Sequence, residues 1–122
     1  MKVYLVIEAC GYDYEEGSEV IEGAYSNEQA ANDNMVDSIE RYKQSRINGL
    51  SEEIEFFGEE DFDFRGNQYS DLLERVKNFT YDIDALRTDR VDISELCGDH
   101  CDYDYIWIEK WEVRDKFIPE DD

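Results

Sequence analysis

Three segments of the chain have the apolar, β-branched and aromatic character of β-strands. Residues 2–9, KVYLVIEA, predict the first strand, and residues 19–26, EVIEGAYS, predict a second that returns after the loop-like GYDYEEGS. Gly23 within the second segment indicates a bulge. Residues 103–113, YDYIWIEKWEV, predict the last strand, with Ile106 on one face. The opposite face carries Tyr105, Trp107, Trp111 and Val113. We interpret that face as core, because an aromatic platform for single-stranded nucleic acid needs a positive groove.

Apolar positions recur at helical spacing after the second strand. Ser26 with Gln29 three residues later is typical of a capping box and predicts the start of a helix, and Gly49 predicts its end. Residues 68–79, QYSDLLERVKNF, predict a second helix. The buried face of the first helix is predicted to contain Ala31, Met35, Ile39 and Tyr42.

Between these helices lies an acidic, Phe-rich segment, residues 51–66, which we expect to form a short helix or an irregular excursion. Residues 52–64 hold seven carboxylates, four phenylalanines and no Lys or Arg. We expect the phenylalanine rings to anchor this segment on the core and so to fix the position of its charges. The alternative is a mobile acidic loop whose rings only fill the core. Residues 80–102 show no decisive periodicity.

The order strand, strand, helix, helical region, strand predicts one α+β domain over residues 1–122. Its fold would be a small antiparallel sheet of about three strands covered by two or more helices. A right-handed crossover after the second strand makes the last strand antiparallel to the first and places it beside that strand.

The net charge of this sequence constrains its partners. The chain has 33 Asp and Glu against 12 Lys and Arg, a formal net charge of -21. Phosphates of nucleic acid and anionic membrane surfaces would be repelled, so a basic protein surface is the expected partner. The alternative is a heavily solvated surface without a partner, as in a salt-adapted protein. No segment approaches the ~20 apolar residues of a membrane span, and a cytoplasmic location is expected.

Two stretches without Lys or Arg concentrate the acidic residues. Residues 3–40 contain ten carboxylates and residues 51–63 contain seven. Same-face residues repeat every ~6.8 Å on a strand, and helical neighbours lie ~6 Å apart, so a folded acidic surface can imitate a row of phosphates. The predicted partner-binding residues are Asp13, Glu15, Glu16, Glu19, Glu22, Asp33, Asp37, Glu52, Glu53, Glu55, Glu59, Glu60, Asp61 and Asp63.

In composition the chain resembles the small acidic proteins by which phages imitate DNA, of the anti-restriction and anti-CRISPR type. The stretch VIEGAYSNEQAA is also similar to the strand-to-helix junction of many small phage proteins. The resemblance implies an inhibitor that occupies the nucleic-acid groove of a CRISPR effector or restriction enzyme. The alternative is an acidic adaptor or antitoxin-like protein that neutralises a basic partner without imitating DNA.

The three cysteines and the single histidine raise the question of a metal site. Antiparallel pairing of the first and last strands would bring Cys10 toward CGDHC, residues 97–101. Three thiolates and an imidazole suit tetrahedral zinc, which gives a candidate structural site at Cys10, Cys97, His100 and Cys101. The competing interpretation is three free thiols and a surface histidine with no cofactor. No nucleophile elbow, phosphate-binding glycine loop or metal-hydrolase motif is present, so we do not expect an enzyme.

Overall fold

The computed structural model describes residues 1–9, 19–82, 90–97 and 105–113, which form an antiparallel sheet packed against helices. The α+β prediction is confirmed, with four strands in the order β2-β1-β4-β3 where about three were expected. The extra strand is the two-residue β3, which falls in the segment without clear periodicity. In chain order the elements are β1 (Lys2–Ala9), β2 (Glu19–Tyr25), α1 (Glu28–Phe57), α2 (Tyr69–Lys77), β3 (Val91–Asp92), α3 (Ser94–Cys97) and β4 (Tyr105–Glu112).

Strand β1 lies at the centre of the sheet, between β2 and β4. It pairs antiparallel with β4 from Lys2 opposite Glu112 to Ala9 opposite Tyr105. The predicted position and direction of the last strand beside the first are therefore confirmed. Apolar residues of β1 are buried on both faces of the sheet, with Val6 in one cluster and Ile7 in another.

The predicted bulge at Gly23 is present in β2. Val6 of β1 faces Gly23 and Ile7 faces Ile21, which leaves Glu22 as the extra residue of β2. The ring of Tyr25 folds back over Gly23, so that a β-carbon at Gly23 would lie 2.8 Å from the ring. Any other residue at this position would require the ring of Tyr25 to move.

Helix α1 begins and ends at residues other than those predicted. Its N-cap is Asn27, whose side-chain oxygen accepts hydrogen bonds from the backbone N–H of Gln29 at 2.7 Å and of Ala30 at 3.2 Å. The capping box at Ser26 was therefore wrong by one residue. The stop at Gly49 was also wrong, because the helix continues through it to Gly58, where φ is 99°. A helical glycine costs about 1 kcal/mol relative to alanine, and burial of the neighbouring Leu50 offsets that cost.

The main core lies between one face of the sheet and the helices. Tyr4 and Tyr25 pack at its margin, and the expected core face of α1 is confirmed. Helix α2 also contributes to this core, through Val76. It begins at Tyr69, one residue after the predicted start. The buried residues of the core are Val6, Ala31, Met35, Ile39, Leu50, Val76, Ile93, Leu96, Ile106 and Ile108.

A smaller cluster occupies the opposite face of the sheet. Trp107 is buried there with Ile7 and Ala9, and the guanidinium of Arg90 lies 4.3 Å from the centre of its indole ring. Trp111, in contrast, is 56% exposed. The interpretation of this face as core was therefore right for Trp107 and wrong for Trp111, at the far end of β4, and for Val113 beyond it, which is 40% exposed.

Candidate acidic and aromatic surface

Residues 51–66, predicted as an excursion, are divided between a helix end and an ordered turn. Residues 51–57 are the last two turns of α1, and the chain then turns over residues 58–68 into α2. We define the acidic–aromatic surface as Glu52, Glu53, Glu55, Phe56, Phe57, Glu59, Glu60, Asp61, Phe62, Asp63 and Phe64.

Backbone hydrogen bonds hold the turn against the start of α2. The N–H of Tyr69 donates to the carbonyl of Asp61 at 3.0 Å, and the N–H of Ser70 donates to the carbonyl of Glu59 at 3.1 Å. Gly66, with φ of 86°, supplies the left-handed conformation that the turn requires. The backbone of the turn is thus hydrogen-bonded to a helix, which fixes the positions from which the acidic side chains extend.

Asp63 organises the turn from within. Its carboxylate accepts hydrogen bonds from the backbone N–H of Arg65 at 2.9 Å and of Asn67 at 2.8 Å. Its own N–H donates to the carbonyl of Asn67 at 2.8 Å. Short polar side chains often stabilise turns by such local bonds. Asp63 is therefore a structural residue of the surface as well as one of its charges.

The phenylalanines of the surface do not anchor it, and the prediction that they do was wrong. Phe56 is 81% exposed, Phe64 79%, Phe62 56% and Phe57 52%. Phe57 stacks on Tyr69 with ring centres 5.8 Å apart, and Phe56 meets Phe57 edge-on at 4.7 Å. The anchor is instead backbone hydrogen bonding, with Leu50 as the last buried residue of α1.

None of the seven carboxylates of the surface forms an ion pair with a Lys or Arg of the described chain. Their charge also reaches Tyr69, whose pKa is raised first by desolvation and then by Glu53, Asp61 and Asp63. On the helical part of the surface, Glu52 and Glu55 lie three residues apart, a spacing of ~5–6 Å. Within the described chain, the surface is thus a negative array whose carboxylates form no ion pairs, with exposed rings within it.

The other predicted binding residues that the structure describes lie outside this surface, and three of them, Glu19, Glu22 and Asp37, face a cation. Asp37 pairs with Arg41 at 2.9 Å and Glu22 approaches the same guanidinium at 3.7 Å. Glu19 lies 3.9 Å from Arg90. Asp33, exposed on α1, accepts a hydrogen bond from Gln29 at 2.9 Å. The structure does not join this group to the acidic–aromatic surface, because Asp37 and Glu52 are about 22 Å apart along α1.

Several predicted site residues lie outside the described residues. Among the partner-binding candidates these are Asp13, Glu15 and Glu16, and among the zinc candidates Cys10, His100 and Cys101. Cys97 ends α3, and only its backbone is described. In the described ranges no group of three or more His, Cys, Asp or Glu side chains is placed to hold a metal ion.

A buried polar contact that the sequence analysis did not single out joins β1 to α1. Glu8 is only 1% exposed, and the hydroxyl of Tyr42 lies 2.8 Å from each of its carboxylate oxygens. Burial raises the pKa of Glu8, the Tyr42 hydrogen bond opposes that shift, and Glu22 adds to it. The sequence did contain a signal for this contact, because Glu8 is a charged residue within the otherwise apolar run of residues 3–9.

Comparison with known proteins gives no match to a family model, a curated protein or a solved structure. Within the described chain, none of the helices has the uninterrupted apolar length of a membrane span.

Proposed function

We propose that this protein is an acidic inhibitor that imitates nucleic acid and blocks the basic groove of a defence nuclease, such as a CRISPR effector or a restriction enzyme. The observation that carries the proposal is the array of seven carboxylates on the acidic–aromatic surface, none of which pairs with a cation of the described chain. Such an array costs stability through self-repulsion, and a basic partner would relieve that cost.

The scaffold of the array supports the same conclusion. A surface that imitates phosphates must present its charges in a fixed pattern, since ordering a mobile loop on binding would weaken the complex. The bonds from Tyr69 and Ser70 to the turn, together with the Asp63 contacts, provide that fixed pattern before any partner arrives.

The proposed function also specifies where the protein would act and what it would not need. The inhibitor would act in the cytoplasm of the cell that contains the nuclease, and it would bind neither nucleic acid nor membrane directly. Inhibition by occupation of a groove requires no catalysis and no cofactor. Zinc, if it is bound, would have a structural role only.

Matched charge reversals test the proposal. The partner is first obtained by affinity capture from a bacterial lysate and purified, and its binding to variants is then measured. Glu52→Lys, Glu55→Lys and Glu60→Lys together should abolish most of the binding, while the equal reversal of Glu74, Glu95 and Glu112, exposed carboxylates elsewhere, should have a much smaller effect. Equal losses of binding from the two sets would mean that only the net charge of the protein matters, and would contradict the proposal.

The exposed phenylalanine rings favour one alternative, an acidic adaptor or antitoxin-like protein. Buried aromatic side chains dominate the binding energy of many protein–protein interfaces, and Phe56 and Phe64 are available for that role. An adaptor would not compete with nucleic acid for its partner. Release of the partner by added oligonucleotide therefore separates the two functions.

A further inference from the structure

Imitation of duplex DNA explains the carboxylates of the acidic–aromatic surface but not its rings. Phe56 and Phe64 are among the most exposed large apolar side chains of the described chain. In a duplex the flat faces of the bases are stacked inside, so the outer surface offers charged phosphates and no free aromatic faces. A groove shaped only for a duplex would leave four phenylalanine rings without a matching surface.

A single strand presents both features of this surface together. Its unstacked bases expose flat faces beside the phosphates, and the proteins that bind it combine a cationic groove with aromatic side chains on which the bases stack. Residues 52–64 carry carboxylates and phenylalanines in the same close alternation, EEIEFFGEEDFDF. The charges are opposite in sign to the cations of such a groove, and the rings have the flat faces that its aromatic side chains stack on.

Contacts inside the chain show the two kinds of partner that these rings accept. Phe57 stacks on Tyr69 with an angle of 15° between the ring planes. The guanidinium of Arg65 lies over the ring of Phe64, 5.5 Å from its centre. Aromatic faces and guanidinium groups are the groups that single-strand grooves offer to bases.

We propose that the acidic–aromatic surface imitates single-stranded nucleic acid, and that its partner is a protein whose cationic, aromatic-lined groove binds a single strand. This inference rests on the proposed function and specifies the partner further. The carboxylates take the places of phosphates, and the phenylalanine rings take the places of bases.

Competition between a single strand and a duplex tests the inference. The full-length protein is immobilised and exposed at low salt to a bacterial lysate freed of nucleic acid. The retained protein is then challenged with a short single-stranded DNA or with the duplex of the same sequence, at equal nucleotide concentration. The single strand should release the partner, and the duplex should release much less.

A variant that lacks the two most exposed rings of the surface tests the part played by the phenylalanines. Phe56→Ser with Phe64→Ser should weaken binding of the purified partner by about tenfold or more, as expected when stacking is lost. The matched control is Ile21→Ser with Val113→Ser, which removes exposed apolar side chains from the sheet and should bind as the wild type does. Thermal melts check that each variant is folded, and Phe64→Ser alone serves if the double variant is not.

The possible results distinguish failure of the single-strand inference from failure of the inhibitor proposal. Equal or better release by the duplex, or normal binding of the Phe56→Ser, Phe64→Ser variant, overturns the single-strand inference and leaves the inhibitor proposal standing. Failure of both nucleic acids to release the partner overturns both proposals and favours the adaptor. Retention of no protein at low salt overturns both as well.

Discussion

The hydroxyl of Tyr42 on helix α1 lies 2.8 Å from each of the two carboxylate oxygens of Glu8 on strand β1. The contact joins the central strand to the longest helix, inside a core that is otherwise mainly apolar. Desolvation raises the pKa of Tyr42 well above its usual range, and the hydrogen bond to Glu8 raises it further. The hydroxyl therefore stays protonated and remains a donor throughout the physiological pH range.

Removal of this donor should destabilise the protein. Tyr42→Phe keeps the ring but leaves the Glu8 carboxylate buried without the hydrogen bond, which should lower the free energy of unfolding by about 1–3 kcal/mol at neutral pH. Urea denaturation followed by circular dichroism measures the change. Tyr81→Phe is the control, because its bond to Glu40 is at the exposed surface and should matter less. Equal losses from the two variants would contradict a special role for the buried pair.

Replacement of Glu8 by glutamine should stabilise the protein in a pH-dependent way. The pKa of Glu8 is raised above its usual 4.5, mainly by burial, so the folded state holds this proton more tightly than the unfolded state. The resulting stabilisation is complete below pH 4.5 and is lost as the pH rises through the folded-state pKa. Glu8→Gln does not titrate, so its stability relative to wild type should increase between acidic and neutral pH. Denaturation of both proteins across this range gives the difference, and a constant difference would contradict the prediction.

Asp63→Ala should loosen the turn that carries the acidic–aromatic surface. The change removes the acceptor for the backbone N–H groups of Arg65 and Asn67, which should cost about 1 kcal/mol of stability. Partner binding should fall by more than the loss of one charge explains. Glu60→Ala is the matched control, because it removes the same charge but no side-chain contact within the turn. If the two variants bind and melt alike, Asp63 does not organise the surface.

Added salt should raise the melting temperature near neutral pH. Repulsion among the excess negative charges is screened when the Debye length falls to ~10 Å, near 0.1 M salt. The Glu52→Lys, Glu55→Lys, Glu60→Lys variant carries less negative charge and should gain less from salt. A melting temperature unchanged between low and moderate sodium chloride would mean that repulsion does not limit stability.

Any structural metal should be zinc, held by Cys10, Cys97, His100 and Cys101. Thiolate and imidazole ligands suit zinc, whereas calcium and magnesium prefer oxygen. The strand pairing that motivates the site is present, because Ala9 lies opposite Tyr105, and these residues flank the two ligand segments. Elemental analysis of protein purified without chelator measures zinc directly. Alanine at Cys101 should abolish any zinc found, and a content far below one equivalent in the wild type would leave three ordinary thiols.

Much of the fold could be predicted from local patterns. The β-branched and aromatic residues of KVYLVIEA and YDYIWIEKWEV predicted β1 and β4, and the helical spacing of Met35 and Ile39 predicted the inner face of α1. The end of α1 could not be predicted in this way. Gly49 is a local stop signal, but the burial of Leu50 in a core formed by distant segments stabilises the helix beyond it.

The sequence by itself determined that residues 51–63 carry seven carboxylates and no cation, because charge and composition need no fold. Only the tertiary structure decided which acids remain uncompensated. Arg41 reaches Glu22 across the gap between helix and sheet, whereas none of the seven carboxylates of the acidic–aromatic surface forms an ion pair with a Lys or Arg of the described chain. The exposure of Phe56 and the burial of Glu8 were decided in the same way. A periodic pattern reports the face of an element on which a residue lies, but pairing and burial depend on which faces meet, and that is set by contacts between residues far apart in the chain.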